Sequence, residues 1–520
     1  MRAVVVVVMS GLFLVGGGAA WAGEVSVKDG RFVDGSGRQV TLHGVNIIEK
    51  HRDLGYVSWH GPQEFAQMRL WGFNCIRLGM TWAAIEPQCG KYDEDFLDRL
   101  AQRVRWARDN GIWVVLDMHQ DLWGEAPPIN GDGAPEWATI HDDKPHTDAE
   151  GGPWSQAYWT SERVQTAFDN FWANRPGPDG VGIQDRFARA WQHVAQRFND
   201  EPAVIGYDLF NEPFIGSDAL KALEVVVAEL ENEPDFKAIS TPSDLLAAVA
   251  GKPNLYEKLL KAAAPVFQKF ETEKLQPMYE RVAAAIREVD TDGLLFLEPS
   301  ISSNMGIPSV LAAIKDPAGK RYPLQAYGAH AYDVVTDTEE VSRPDERRLE
   351  LIFSRIDKHA NRLDMPLWIG EWGAFYGQPE TMNAARLAMG HLEKIQAGDA
   401  YWDFQRGLEK TVYFPLLARP YAPAIAGRLR SCRSDWDTGT FRCEWTECAD
   451  AAADAAADAG AETRIFLPEG WYGDGYAIEL TPAGSACTFE PVSEGAKAGW
   501  LVIPRSAPGA ARTVTIKRRS

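Results

Sequence analysis

Glu212 and Glu371 are the residues of this chain whose surroundings best fit bond-breaking chemistry. Glu212 stands in Tyr207-Asp208-Leu209-Phe210-Asn211-Glu212-Pro213, and Glu371 in Pro366-Leu367-Trp368-Ile369-Gly370-Glu371-Trp372-Gly373. Each follows an apolar run of strand length and is followed at once by Pro or Trp-Gly, so each is expected where a buried strand ends. In a parallel barrel that is the face on which reacting groups collect. Two carboxyl groups delivered to one mouth suit cleavage of a glycosidic bond, which needs a proton donor and a nucleophile or base across the scissile bond. Either glutamate alone could be a buried structural acid; the pair carries the chemistry. No metal and no cofactor is implied, because the carboxyl groups supply both functions.

Other polar residues follow buried runs in the same way. Asn211, beside Glu212, is placed to hydrogen-bond a sugar 2-hydroxyl. Arg77 lies in Phe73-Asn74-Cys75-Ile76-Arg77-Leu78, where a cation keeps a nucleophilic carboxylate ionised, although a structural ion pair is an equal reading. His119, Gln120 and Asp121 come after Leu116-Asp117-Met118, and His330 and Tyr332 after another short apolar run. Recognition of hydroxyl groups is the expected use of His119 and His330. Glu298, before Pro299 and Ser300, is a competing carboxylate and reads as a cleft or structural acid.

The elements that must position these groups alternate from residue 38 to about 405 as short apolar runs and amphipathic stretches, the pattern of repeated βα units. Strands are predicted at 40–45, 74–78, 113–117, 204–210, 294–297, 325–329, 367–370 and 400–404. Helices with one apolar face are predicted at 96–110, 183–198 and 277–289. Eight such strands close a (β/α)8 barrel, here assigned to residues 23–410. Two connections exceed what a barrel needs, at about 121–180 and 215–275. The first carries Gly131-Asp132-Gly133-Ala134-Pro135, His141, His146, Trp154, Tyr158 and Trp159, a content that suits a structured active-site loop. The second is helical in pattern, with apolar runs at 220–230 and 245–250. It reads either as a buttress or as a mobile lid over the cleft.

After residue 410 the chain changes to short alternating strands with Gly and Pro turns, so residues 411–520 read as a C-terminal β-sandwich. Residues 449–461 are a low-complexity Ala-Asp stretch. Residues 1–22 have the form of a secretory signal: Arg2, an apolar run too short to span a membrane, and Ala20-Trp21-Ala22 as a cleavage site. The expected location is therefore secreted or periplasmic, with no transmembrane span in the mature chain. Export permits disulfides, and Cys432, Cys443, Cys448 and Cys487 are expected to staple the C-terminal region. A zinc site at Cys443 and Cys448 lacks a nearby histidine. The net charge of −20 argues against a nucleic-acid partner and against electrostatic docking on anionic lipid. A monomer is expected.

These motifs resemble glycoside hydrolase family 5, and within it the endoglycoceramidases. The runs that carry the resemblance are Ile76-Arg77-Leu78-Gly79-Met80-Thr81-Trp82 with Glu86-Pro87, Leu116-Asp117-Met118-His119-Gln120-Asp121, Ala167-Phe168-Asp169-Asn170-Phe171-Trp172, Asp208-Leu209-Phe210-Asn211-Glu212-Pro213, and Arg419-Pro420-Tyr421-Ala422-Pro423-Ala424-Ile425-Ala426-Gly427. The resemblance implies a retaining β-glycosidase that releases glycan from ceramide, with Glu212 as acid/base and Glu371 as nucleophile. It further implies that Lys50, His119, Asp121, Asn211 and Tyr332 contact the sugar beside the scissile bond, with Trp402 as its platform and Trp154 as a further candidate. The substrate it implies is a glycosphingolipid or related glycoside, met in transient contact with a membrane or micelle surface. Related activities are release of one sugar from glucosylceramide or steryl glucoside, and a cellulase- or mannanase-type cleavage on the same barrel. The chain departs from the family pattern after Phe214, where roughly 45 residues look inserted.

Overall fold

The computed structural model describes residues 24–148, 153–233, 249, 251–448, 462–482 and 486–519. The predicted secretory signal at 1–22, the Ala-Asp stretch at 449–461 and, apart from Val249, the apolar run at 245–250 lie outside the described residues. Eight buried runs form strands β1 (His43–Ile47), β2 (Cys75–Thr81), β3 (Trp113–His119), β4 (Val204–Asp208), β5 (Leu294–Leu297), β6 (Gln325–Ala331), β7 (Leu367–Gly373) and β8 (Gly398–Trp402). Each pairs in parallel with its neighbours in sequence, and β8 returns to β1, closing a (β/α)8 barrel. Burial on both faces explains why the strands read as near-continuous apolar runs rather than as alternation. The barrel wall is tight enough at Gly44 that an added Cβ would stand 1.7 Å from the carbonyl oxygen of Cys75.

The surrounding helices follow the apolar faces seen in the sequence. Glu94–Asp109 begins where the Asp93 side chain accepts the Phe96 N–H at 2.8 Å, and it buries Phe96, Leu97, Leu100, Val104 and Ala107. Ile183–Phe198 and Gln276–Arg287 occupy the other two predicted positions. Inside the barrel, Trp113, Val115, Leu294, Phe296 and Trp368 fill an apolar layer. The polar residues at the strand ends rest on that floor.

The predicted strand at 40–45 is divided. His43–Ile47 enters the barrel, whereas Gln39–Val40 pairs with Tyr421–Ile425. With Val25–Lys28 and Arg31–Asp34, that short strand joins a seven-stranded sheet whose other members come from the C-terminal region. A four-stranded antiparallel sheet of Gly427–Asp435, Thr440–Glu447, Tyr476–Thr481 and Ala511–Arg518 packs on it. Leu429, Phe441, Trp445, Ile465, Leu501, Val514 and Ile516 fill the space between, giving the expected β-sandwich.

The expected disulfide staple is not formed: all six cysteines are free. Cys432 and Cys443 oppose each other across two strands with their sulfurs 2.7 Å apart. What holds the two sheets together here is the apolar core. Among the described residues, no helix is long and apolar enough to cross a membrane.

The second long connection contains helices Asp218–Leu230 and Pro253–Phe270. The latter continues through a π-helical turn, Glu271–Leu275, into the barrel helix Gln276–Arg287. Leu230, Val249, Leu255, Tyr256 and Leu259 form their own small core, against which Val334 and Leu351 of the barrel pack.

Candidate active site

Arg77 organises the barrel mouth. Its guanidinium, with no exposed surface, donates to Asp208 (2.8 Å), Asp117 (2.8 Å), Glu298 (2.8 Å), Asn211 (2.9 Å) and Glu371 (2.7 Å). Only a planar fork can reach so many acceptors from one strand position. Burial opposes its charge, but Asp117, Asp208, Glu371 and Glu298 hold its pKa well above the usual range. The bond to Glu371 Oε1 is the contact the sequence suggested for this cation.

Glu371 sits at the end of β7, where Tyr332 donates to its second oxygen at 2.9 Å. Burial raises its pKa; His330 and Arg77 pull it back and the Glu212 charge pushes it up, leaving it at about 7. Glu212 lies just beyond β4 with its backbone in the left-handed region, φ 45°. A non-glycine residue holds that conformation only where the surroundings fix it. Here Glu298 accepts the Glu212 N–H at 2.8 Å and Gln120 donates to the carbonyl oxygens of Asn211 and Glu212. One oxygen of each glutamate and a ring nitrogen of His330 all lie within 4.8 Å of one another.

His330 lies between the acids. Its Nδ1 is 2.9 Å from Glu212 Oε1 and 3.5 Å from Glu371 Oε2, and its Nε2 is 3.2 Å from Glu298. Burial works against its protonation, yet Glu298 and Glu371 raise its pKa well above the ordinary value. The acids around His330 thus favour its protonated form. Asp208 next to it is pushed well above the carboxylate range by burial and by Glu298. The Arg77 guanidinium, 2.8 Å from Asp208 Oδ2, acts against that rise.

On the other side of the mouth, His119 lies parallel to Trp402 with ring centres 5.3 Å apart, and Lys50 stands 4.8 Å from the Trp402 ring. Lys50 is hydrogen-bonded to Asp121 and lies 3.8 Å from Asp132. Burial and Lys50 oppose a proton on His119, but Asp117 at 2.8 Å raises it to about 10. Burial likewise raises Asp132 to about 7, against the pull of Lys50. The result is a flat aromatic surface edged by hydrogen-bonding groups, a form suited to one face of a sugar ring.

Lys50, Arg77, His119, Asp121, Asn211, Glu212, His330, Tyr332, Glu371 and Trp402 therefore share one cleft. Trp154 stands at its outer edge, 42% exposed, and donates from Nε1 to Asp337 at 3.1 Å. Three residues carry more than the sequence indicated. Glu298 is a hub that binds Arg77, His330 and the Glu212 backbone. Asp132 is a second acid on Lys50. Asn304, from the short 3₁₀ turn Ile301–Met305, donates to Glu212 Oε1 at 2.7 Å. Glu298 was legible as a cleft or structural acid, though not as a hub, and Asp132 could have been found as an acid in a Gly-rich loop. Nothing in Ser302-Ser303-Asn304-Met305 marks its asparagine.

The profile described as Cellulase (glycosyl hydrolase family 5) matches residues 33–407. The chain belongs to glycoside hydrolase family 5. Like other members it is a glycoside hydrolase, and a second profile, the glycoside hydrolase family 5 C-terminal domain, matches residues 419–516. Within the family the chain is 27% identical to endoglycoceramidase I of Rhodococcus hoagii (strain 103S) over 498 residues, covering 92% of this chain and 87% of that protein. It is also 27% identical to an endoglycoceramidase of Hydra vulgaris, there spanning about half of each chain, 53% and 49%. Among solved structures, endo-glycoceramidase II from Rhodococcus sp. in its ganglioside GM3 complex superposes with a TM-score of 0.71 at 26% identity, covering 95% of this chain and all of that one. The resemblance read from the motifs is borne out.

Proposed function

We propose that this family 5 enzyme hydrolyses the β-glycosidic bond between glycan and ceramide in glycosphingolipids by double displacement. The observation that carries the mechanism is the pair of carboxyl oxygens from Glu212 and Glu371 within 4.8 Å of each other. That spacing suits direct attack by Glu371 on the anomeric carbon and leaves no room for a water between Glu371 and the sugar, so the anomeric configuration is retained. In the first step Glu371 bonds to the anomeric carbon while Glu212 gives its proton to the departing ceramide oxygen. In the second, Glu212 takes a proton from water, whose oxygen then displaces Glu371.

Arg77 and Tyr332 hold the nucleophile, and His330 sits between the two acids as a charge that both feel. Lys50, His119, Asp121 and Asn211 bind sugar hydroxyls, Trp402 is the platform, and Trp154 borders the entrance. The ceramide assignment is supported by the endoglycoceramidase relatives and by where apolar surface is left bare. Among the described residues, the exposed large apolar side chains are Leu54, Trp154, Leu220, Leu223, Tyr376 and Val412. In chain order each lies in the connection that follows the C-terminal end of a barrel strand. That placement suits transient docking on a lipid aggregate. Residues 1–22 direct export in this reading.

Incubation with glucosylceramide, lactosylceramide, a ganglioside and a soluble β-glucan, with analysis of both products, tests the proposal. Intact oligosaccharide plus ceramide is expected. Release of glucose alone from glucosylceramide, or faster cleavage of the soluble glucan under matched conditions, would replace ceramide-linked oligosaccharide as the substrate.

A further inference from the structure

We propose that Asn304 is a positioning residue for Glu212, and that the inserted helix Pro253–Phe270 holds it there through Tyr256. The proposal rests on the reading of Glu212 as acid/base.

Two side chains donate to the same oxygen of Glu212. Asn304 Nδ2 is 2.7 Å from Oε1, and His330 Nδ1 is 2.9 Å from it. Because Oε1 already accepts two bonds, a proton taken up by Glu212 for its acid role is placed on Oε2. From there it passes to the leaving oxygen as that oxygen's bond to the anomeric carbon breaks and the Glu371 oxygen bonds to the same carbon. Glu212 is left ionised, with both donors still in place on Oε1. Without Asn304 the acid keeps its proton but loses one of the two contacts that decide which oxygen bears it.

Asn304 belongs to a segment with little regular structure, 300–311, and the insertion grips that segment at several points. Tyr256 donates to the carbonyl of Met305 at 2.5 Å, and Gln268 donates to that of Pro308 at 3.0 Å. Glu271, buried in the π-helical turn, accepts from the Ser309 hydroxyl and from the backbone N–H groups of Ser300, Val310 and Leu311. The same segment ties to the nucleophile's side of the cleft, because the Asn304 carbonyl accepts the Tyr332 N–H at 3.1 Å and Tyr332 donates to Glu371. The inserted helix is thus a clamp on the turn that aims the acid.

The test compares kcat/KM, which reports steps through glycosylation, for β-glycosides of one sugar with an activated aryl leaving group and with an alkyl leaving group. Glu212→Ala is the reference and should lose far more activity on the alkyl glycoside. Asn304→Ala should lose at least about tenfold on the alkyl glycoside and less than about threefold on the aryl glycoside. Tyr256→Phe, which removes one hydroxyl and conserves packing, should show the same bias at smaller size, and its effect should vanish in the Asn304→Ala background. Equal losses on both glycosides, or additive losses in the double variant, would overturn the proposal. If Glu212→Ala itself showed no leaving-group bias, the acid/base reading would be the part that fails.

Discussion

Glu298 accepts the backbone N–H of Glu212 at 2.8 Å, so one buried carboxylate fixes the conformation of another acid's main chain. Its other oxygen binds Arg77, and burial notwithstanding, His330 and Arg77 hold its pKa below the ordinary glutamate value. Glu298→Gln replaces one acceptor oxygen with a donor facing donors. We expect a loss of about 100-fold in kcat and of ~3 kcal/mol in stability, read by steady-state kinetics and urea unfolding. A variant within threefold of wild type in both would show that Arg77 and Gln120 suffice to hold the turn.

Nuclear magnetic resonance of the first-released sugar should show the anomer of the substrate. Glu371→Gln should abolish turnover, whereas Glu212→Ala should retain cleavage of activated aryl glycosides. Burial and the Glu212 charge leave Glu371 at about 7, so kcat/KM should fall as pH drops through that value and the nucleophile gains a proton. Glu212→Gln removes the charge that raises it. The acid limb measured on an aryl glycoside should then move to lower pH, and an unmoved limb would mean that the two acids do not titrate together.

Arg77→Met would leave Asp117, Asp208, Glu298 and Glu371 without their shared cation in a site closed to water. A loss of about 3–5 kcal/mol in unfolding free energy is expected. Arg77→Lys keeps the charge but cannot bridge four acids from one point, and it should recover only part of that loss. Full recovery by lysine would show that charge alone, without the guanidinium fork, holds the cluster.

His60 is buried with Nε2 2.9 Å from the Phe404 carbonyl, and burial lowers its pKa from 6.5 to about 3. Between those values the unfolded chain binds a proton that the folded chain does not. His60 therefore contributes stability above about pH 6.5 that is lost progressively as pH falls toward 3. Its share is a slope of about 1.4 kcal/mol per pH unit within that window. His60→Gln should flatten the decline by one proton in urea unfolding series from pH 7 to pH 5, and an unchanged slope would assign the effect elsewhere.

The parts of the site that were legible in the sequence lie directly at strand ends. Arg77, His119, Glu371 and their neighbours follow buried apolar runs, and the parallel barrel converts that order into a ring. Asn304 was not legible because its place depends on a turn held by helices from another part of the chain. The strands between Val25 and Val40 were hidden for a related reason. The sheet they belong to is completed through Gln39–Val40 by a strand almost 400 positions later, and short strands carry little local pattern of their own. The helical insertion was visible as helix, but its role depended on where it docks. Tyr256 against Met305 and Glu271 against Ser309 make it a clamp on the barrel rim.

The pairing of Gln39–Val40 with Tyr421–Ile425 also bears on how the chain is made. Gln39 accepts the Leu429 N–H from 390 positions away, and barrel strand β1 starts only three residues after Val40. During synthesis the early strands wait with unpaired edges until the whole barrel has emerged, a long exposure for segments prone to pair elsewhere. Removing the C-terminal sheet would strand them permanently, so the catalytic barrel cannot be cut free at the domain junction without leaving an adhesive edge at its start.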